Sequence, residues 1–188
     1  EAGIDALKRV LKLQEYAPKE WMQMGWDEAN QFFANGNAAM MEQWPGLWLT
    51  CQSDTSAVKD KIGVAVAPGK TPVLGGWGVG ISAGSQNKEL ATELLSYLMD
   101  KDVQKSTVPS GGVPCRYSSL QDAEILKTYP QYEVVCKALE GGMYRPVIAE
   151  WTQFYTILGA EMDNIVNGVK TVDQGLADAQ TQLEALMK

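Results

Sequence analysis

Two β-rich runs, Ile62 to Pro68 and Gly75 to Ser82, stand among many more segments whose apolar residues recur at helical spacing, and this imbalance constrains the fold most. Strands interleaved with more abundant helices specify α/β architecture. So few short strands make only a small sheet for a chain of 188 residues, which by default buries one main core. Apolar residues at 45% and charged residues at 21% are ordinary globular values, so the whole chain is expected to fold.

Ala6, Leu7, Val10, Leu11 and Leu13 predict a first helix that ends before Pro18, since proline lacks the amide the helix needs. After a Trp21 to Met24 connection, Asp27 to Phe33 predicts a second helix, closed by Asn35-Gly36. A strand is expected over Ala38 to Glu42, then a short helix entered at Pro45 and running through Leu47, Trp48 and Leu49. A loop of Gly, Pro and Lys separates the two β-rich runs. The second run leads through Ser85-Gln86-Asn87 into a helix with Leu90, Ala91, Leu94, Leu95 and Leu98 on one face. A shorter helix over Asp102 to Lys105, a Pro109 to Gly112 turn and an extended Val113 to Arg116 come next. The rest is helical: Ser119 to Thr128, Tyr132 to Glu140, Glu150 to Asn167 and Val172 to Met187. Gly168 stops the third of these, and Thr171-Val172-Asp173-Gln174 caps the last.

Composition removes several functions. Sixteen Lys and Arg against 23 Asp and Glu give a net charge of -7, and the basic residues are dispersed, so nucleic acid is excluded as a partner. No apolar run approaches the roughly 18 residues of a membrane span. The opening Glu1-Ala2-Gly3-Ile4-Asp5 is amphipathic helix, not a secretory leader; either the protein is cytosolic or its beginning has been removed. Histidine is absent, which removes Ser-His-Asp and Cys-His nucleophile systems and the commonest zinc ligand. No metal box, phosphate loop or cofactor motif is present. Cys51, Cys115 and Cys136 leave at least one free thiol; buried inert thiols and a Cys115–Cys136 bridge in an exported protein both remain open.

Six tryptophans are many for this length. Core packing is the ordinary fate of such a side chain. Gln43-Trp44-Pro45-Gly46-Leu47-Trp48 and Gly75-Gly76-Trp77-Gly78 depart from it, because compact or flexible backbone there brings the rings to a strand end. A pyranose has an apolar C–H face and a hydroxylated rim. It needs a flat ring beneath and hydrogen-bonding groups around. Indole supplies the ring, and Gly75 and Gly76 let backbone amides approach the rim. Glu42, Asp27 and Glu150 lie nearest the aromatic segments, but the separation of a glycosidase pair, about 5 to 9.5 Å, is spatial and no sequence spacing reports it. Solvated surface or a hydrogen bond to ligand hydroxyls is the expected role for each. Arg116 and Arg145 sit in irregular segments from which a side chain can reach a cleft or pair at the surface. Met22, Met24, Met40 and Met41 read as packing groups.

In this order the segments are fairly specific. Phe32-Phe33-Ala34-Asn35-Gly36-Asn37-Ala38-Ala39-Met40, the Trp-Pro-Gly turn, Ile62 to Pro68, Gly75 to Ser82, Ser85 to Ala91 and Gly168 to Leu183 together resemble the extracellular solute-binding proteins of ABC importers. The resemblance is to the family-1 sugar receptors of maltose-binding type and runs over nearly all the chain. It implies a periplasmic-binding-protein-like fold of type II, matched over its later half. Residues 1–188 would form the C-terminal lobe, a small sheet flanked by many helices, with terminal helices over 150–188 packing toward an N-terminal lobe that the chain lacks. Ligand would bind in a cleft as two lobes close. The implied function is non-covalent binding of a mono- or oligosaccharide and its delivery to a membrane permease, without catalysis or cofactor. The implied location is extracellular, as a periplasmic protein or a cell-surface lipoprotein held by an anchor absent from this chain. By position the resemblance assigns ligand contact to Trp44, Trp48, Gly75, Gly76, Trp77 and Tyr155; Trp151, one turn before Tyr155, and Arg116 join them. The family's usual Gly-Pro-Trp order is Trp44-Pro45-Gly46 here. Two alternatives stand beside the receptor: a glycan-active enzyme or accessory carbohydrate-binding module, and a receptor for a non-sugar solute.

Overall fold

The computed structural model describes residues 1–69 and 71–188, and the chain divides into two compact units. One is built from both ends, Glu1–Met24 and Pro146–Lys188; the other is the continuous stretch Gly25–Arg145. In chain order the helices are α1 (Ala2–Gln14), α2 (Trp26–Ala34), α3 (Leu47–Cys51), α4 (Lys88–Leu98), α5 (Lys101–Thr107), α6 (Tyr117–Leu120), α7 (Ala123–Thr128), α8 (Gln131–Gly141), α9 (Trp151–Val166) and α10 (Val172–Leu186). The strands are β1 (Val73–Leu74) and β2 (Met143–Tyr144).

The unit of the chain ends is helical. Leu7 of α1, Ile165 of α9 and Val172 of α10 form its buried cluster, with Ile4, Leu11, Met162 and Leu176 packed around it. Gly168 ends α9 with φ of 71°, a left-handed conformation that glycine takes without penalty. Thr171 begins α10, its hydroxyl accepting from the Gln174 amide at 3.2 Å. α9 and α10 pack closely because residue 175 has no side chain: a Cβ there would lie 2.6 Å from Ile165. An ionic tie joins the same pair. The Lys170 ammonium donates to Glu161 at 2.6 Å and to Asp178 at 2.8 Å, and Gln182 Nε2 donates to Glu161 at 3.1 Å. Glu161 is buried, and the Lys170 hydrogen bond holds its carboxyl below the usual range.

The middle unit has its core at the C-terminal side, where Val108, Leu120, Ile125, Tyr132 and Cys136 are buried together. Each chain unit thus owns a cluster, where the sequence alone implied one main core. The expected helix over Ser119 to Thr128 is two, α6 and α7, because Asp122 interrupts it as an N-cap, accepting from the Glu124 amide at 3.1 Å and binding Lys105 of α5 at 2.9 Å.

The expected strands differ most. Ala38 to Glu42, Ile62 to Pro68 and Gly75 to Ser82 form no ladder among the described residues. The sheet is instead β1 and β2, parallel, with Val73 opposite Met143 and Leu74 opposite Tyr144. β1 lies in the expected inter-strand loop, whose Lys70 falls outside the described residues. The reason is physical: β-propensity favours a backbone that fits a sheet, but a ladder exists only where a neighbour supplies the opposite row of donors and acceptors. Val64 and Val79 are accordingly exposed. Cys51 and Cys136 are buried, Cys115 is exposed, and all three are free, so the Cys115–Cys136 bridge is not formed.

Candidate functional site

Of the aromatic candidates of the middle unit, Trp44 and Trp77 sit outside the helices and Trp48 on α3. Trp44 lies in the turn before α3. Its carbonyl accepts from the Leu47 amide at 3.1 Å and that of Pro45 from Trp48 at 3.2 Å, which starts the short helix where the proline predicts it. Gln43 ties this turn to α2: its Oε1 accepts from the Trp44 amide at 2.8 Å and its Nε2 donates to Asn30 Oδ1 at 2.8 Å. Asn30 is buried on α2. The six-membered ring of Trp44 occupies the space a side chain at 75 would take, 2.7 Å from a Cβ built on Gly75. Trp44 is nonetheless 40% exposed, so part of the ring is open to solvent. Trp48, on α3, is half-buried.

Two residues beyond Gly75, Trp77 is fully exposed, and Gly76 and Gly78 beside it are exposed. With Val79 it borders a shallow groove also lined by Leu95 of α4, Met99 just past its end, Gln104 of α5, and Val113 and Cys115. The groove continues along Val79 to Ser82 against Ala91 and Leu94. Its walls are mostly apolar, with Gln104, Ser82 and Ser85 as the polar exceptions, and none of these lining side chains is charged.

Polar residues at the margin fix the Gly112 to Arg116 wall. Gln104 Nε2 donates to the Leu98 carbonyl at 2.7 Å, and its Oε1 accepts from the Cys115 amide at 2.9 Å. The buried Tyr132 hydroxyl donates to the Gly112 carbonyl at 2.9 Å, and burial pushes its pKa up. Arg116 donates from Nη1 to the Met99 carbonyl at 2.7 Å, which makes its guanidinium a brace between this segment and the end of α4. Asp100 caps α5, and the Asp102 and Val103 amides hold its carboxyl below the usual range.

Trp151 and Tyr155 belong to the unit of the chain ends. On α9 the Trp151 ring stacks on Phe154 with centroids 5.5 Å apart and lies tilted to Tyr155 at 6.3 Å. Trp151 is half-buried and Tyr155 exposed. The predicted residues thus fall into a Trp44–Gly75 contact, a Trp77 groove with Arg116 at its margin, and a Trp151–Tyr155 pair on the other unit. Asn30, Gln43, Gln104 and Tyr132 were not foreseen. Only Asn30 carries a sequence signal: it stands four residues before Ala34, on the same buried stripe of α2. Among the described residues no group of three Cys, Asp or Glu is placed to hold a metal ion.

A family model described as bacterial extracellular solute-binding protein matches residues 1–134. A probable amino-acid ABC transporter periplasmic-binding protein of Sinorhizobium fredii is 30% identical over 193 aligned residues, covering 100% of this chain and 44% of that protein. A probable ABC transporter-binding protein of Deinococcus radiodurans is 29% identical, covering 77% of this chain and 36% of its own length. The chain therefore spans less than half the length of these curated relatives. A solved structure described as maltose-bound MalE3 of T. maritima superposes with a TM-score of 0.89 at 25% identity, over 97% of this chain and 50% of that one. The helix-rich chain with its small sheet has the periplasmic-binding-protein-like fold, matched over half of such a molecule.

Proposed function

Because the chain belongs to the bacterial extracellular solute-binding protein family, we propose that it serves as the solute-binding part of an ABC importer's receptor and that its solute is a sugar. The family is one of extracellular and periplasmic proteins, which gives the compartment; among the described residues no helix is long and apolar enough to cross a membrane. The proposed partners are a carbohydrate and the importer's permease, and the proposed action is capture and release without chemistry.

One observation carries the sugar assignment. A fully exposed indole borders an apolar groove lined by no charged side chain. A neutral pyranose stacks its C–H face on such a ring and takes hydrogen bonds at its rim from Gln104 and the backbone of Gly76 to Gly80. The maltose of the T. maritima relative supports this reading. The S. fredii relative's description favours a second, an amino-acid solute. A zwitterion needs a cation for its carboxylate and an anion for its ammonium. Among the described residues the side chains lining the groove supply neither.

Titrations of the full-length protein with glucose, maltose, maltotriose and a panel of amino acids, followed by tryptophan emission, test the proposal. Saturable change with a sugar, unaltered sugar on recovery and no change with amino acids are expected. A response to amino acids alone, to nothing in either panel, or conversion of the sugar to product overturns it.

A further inference from the structure

Trp44 differs from Trp77 in being held. Its backbone amide is tied through Gln43 to the buried Asn30 carboxamide, two bonds of 2.8 Å in series, and its six-membered ring rests where residue 75 has no Cβ. α2, which carries Asn30, is itself closed at its end by Ser56 and Ala57, whose Oγ and amide donate to the Ala34 carbonyl at 3.1 and 2.9 Å. The relay therefore starts from an element fixed at both its buried face and its end. It ends on an aromatic ring with an open surface.

We infer that Asn30, Gln43 and Gly75 are positioning residues that seat the Trp44 indole as a fixed stacking surface for the neutral solute. The inference rests on the receptor reading above and adds to it the device that sets the ring. A large aromatic contributes to binding in proportion to how little freedom it loses on contact, so a ring already immobilised on one side offers its open surface at low entropic cost. Gln43 acts on the backbone of the turn and fixes where the side chain begins. Gly75 acts on the ring and fixes how close it lies to the segment bearing Gly76 and Trp77. An alanine at 75 forces a contact of 2.7 Å and so must shift the indole.

The test compares maltose binding by the full-length protein and its Gly75→Ala, Gln43→Leu and Gln43→Glu variants, each also in a Trp44→Leu background, with circular dichroism to verify folding. Gly75→Ala and Gln43→Leu are expected to weaken maltose binding about threefold to tenfold and to alter Trp44 emission. Gln43→Glu keeps the acceptor for the Trp44 amide and can pair with a rotated Asn30 amide, so it is expected to retain binding. With Trp44→Leu present, neither Gly75→Ala nor Gln43→Leu should weaken binding further, because each acts only through that ring. Wild-type affinity in both variants, or losses that add to that of Trp44→Leu, overturns the seat while leaving the sugar-receptor reading intact. A wild-type full-length protein that responds to no sugar overturns the receptor reading itself, before any variant is compared.

Discussion

Trp77 and Trp44 are the same side chain in opposite situations. Trp77 is fully exposed and borders only a groove, so Trp77→Ala should change the unfolding free energy by less than about 0.5 kcal/mol while weakening maltose binding and reducing the sugar-dependent emission change. Urea unfolding and a maltose titration on the same variant check both halves. Tyr132 shows the converse. Its aromatic pattern marks a core residue, but its hydroxyl also satisfies the Gly112 carbonyl, so Tyr132→Phe should cost about 1–3 kcal/mol, read as a lower urea midpoint at unchanged slope. The cysteines divide in the same way. Burial raises the pKa of Cys51 and Cys136, whereas Cys115 is exposed on the groove. Alkylation of the native chain should label Cys115, and the other two only after denaturation, as peptide mass mapping would show. Residue types were legible in the sequence; their exposure was not, because exposure depends on what distant segments cover.

Elements were legible where their signals are local. The first helix, the Gly36 and Gly168 helix ends, the Pro45 entry and the Thr171 cap all stand where the sequence places them, since each is decided by bonds within a few residues. Thr171→Ala should therefore cost about 1 kcal/mol by loss of the cap. Gly175→Ala should cost about 1–3 kcal/mol despite its better helix propensity, because its Cβ would meet Ile165. Thermal or urea unfolding separates these two from neutral controls. Strands were not legible in the same sense. The runs 62–68 and 75–82 have β-rich composition without ladders, and the paired strands are two residues each at 73–74 and 143–144. A partner strand is a non-local fact. Composition announces the preference and cannot supply the neighbour.

At the scale of the molecule, the unit formed by the two chain ends carries the ionic tie of Glu161, Lys170 and Asp178. Hydrogen bonding to Lys170 lowers the Glu161 pKa, so its stabilisation is complete above the ordinary carboxylate range and is lost as pH falls through the depressed value. The Lys170 pKa is raised, by Asp178 first and Glu161 second, so its part is present below the ordinary lysine range and lost as pH rises through the raised value. The tie is thus whole at neutral pH. The Tm of the wild type should fall more steeply than that of Glu161→Gln between pH 7 and about pH 3, and equal slopes would count against the assignment. The sequence by itself determined the helix-rich α/β class, several helix ends, the absence of histidine chemistry and the tryptophans worth inspecting, because each follows from composition or short-range bonding. Only the tertiary structure decided that residues 1–24 join 146–188 in one unit, that Trp44 rests on Gly75 through Gln43 and Asn30, and that Trp77 stands free. Those are meetings between segments tens of residues apart, and no local rule of spacing or propensity fixes which of them occur.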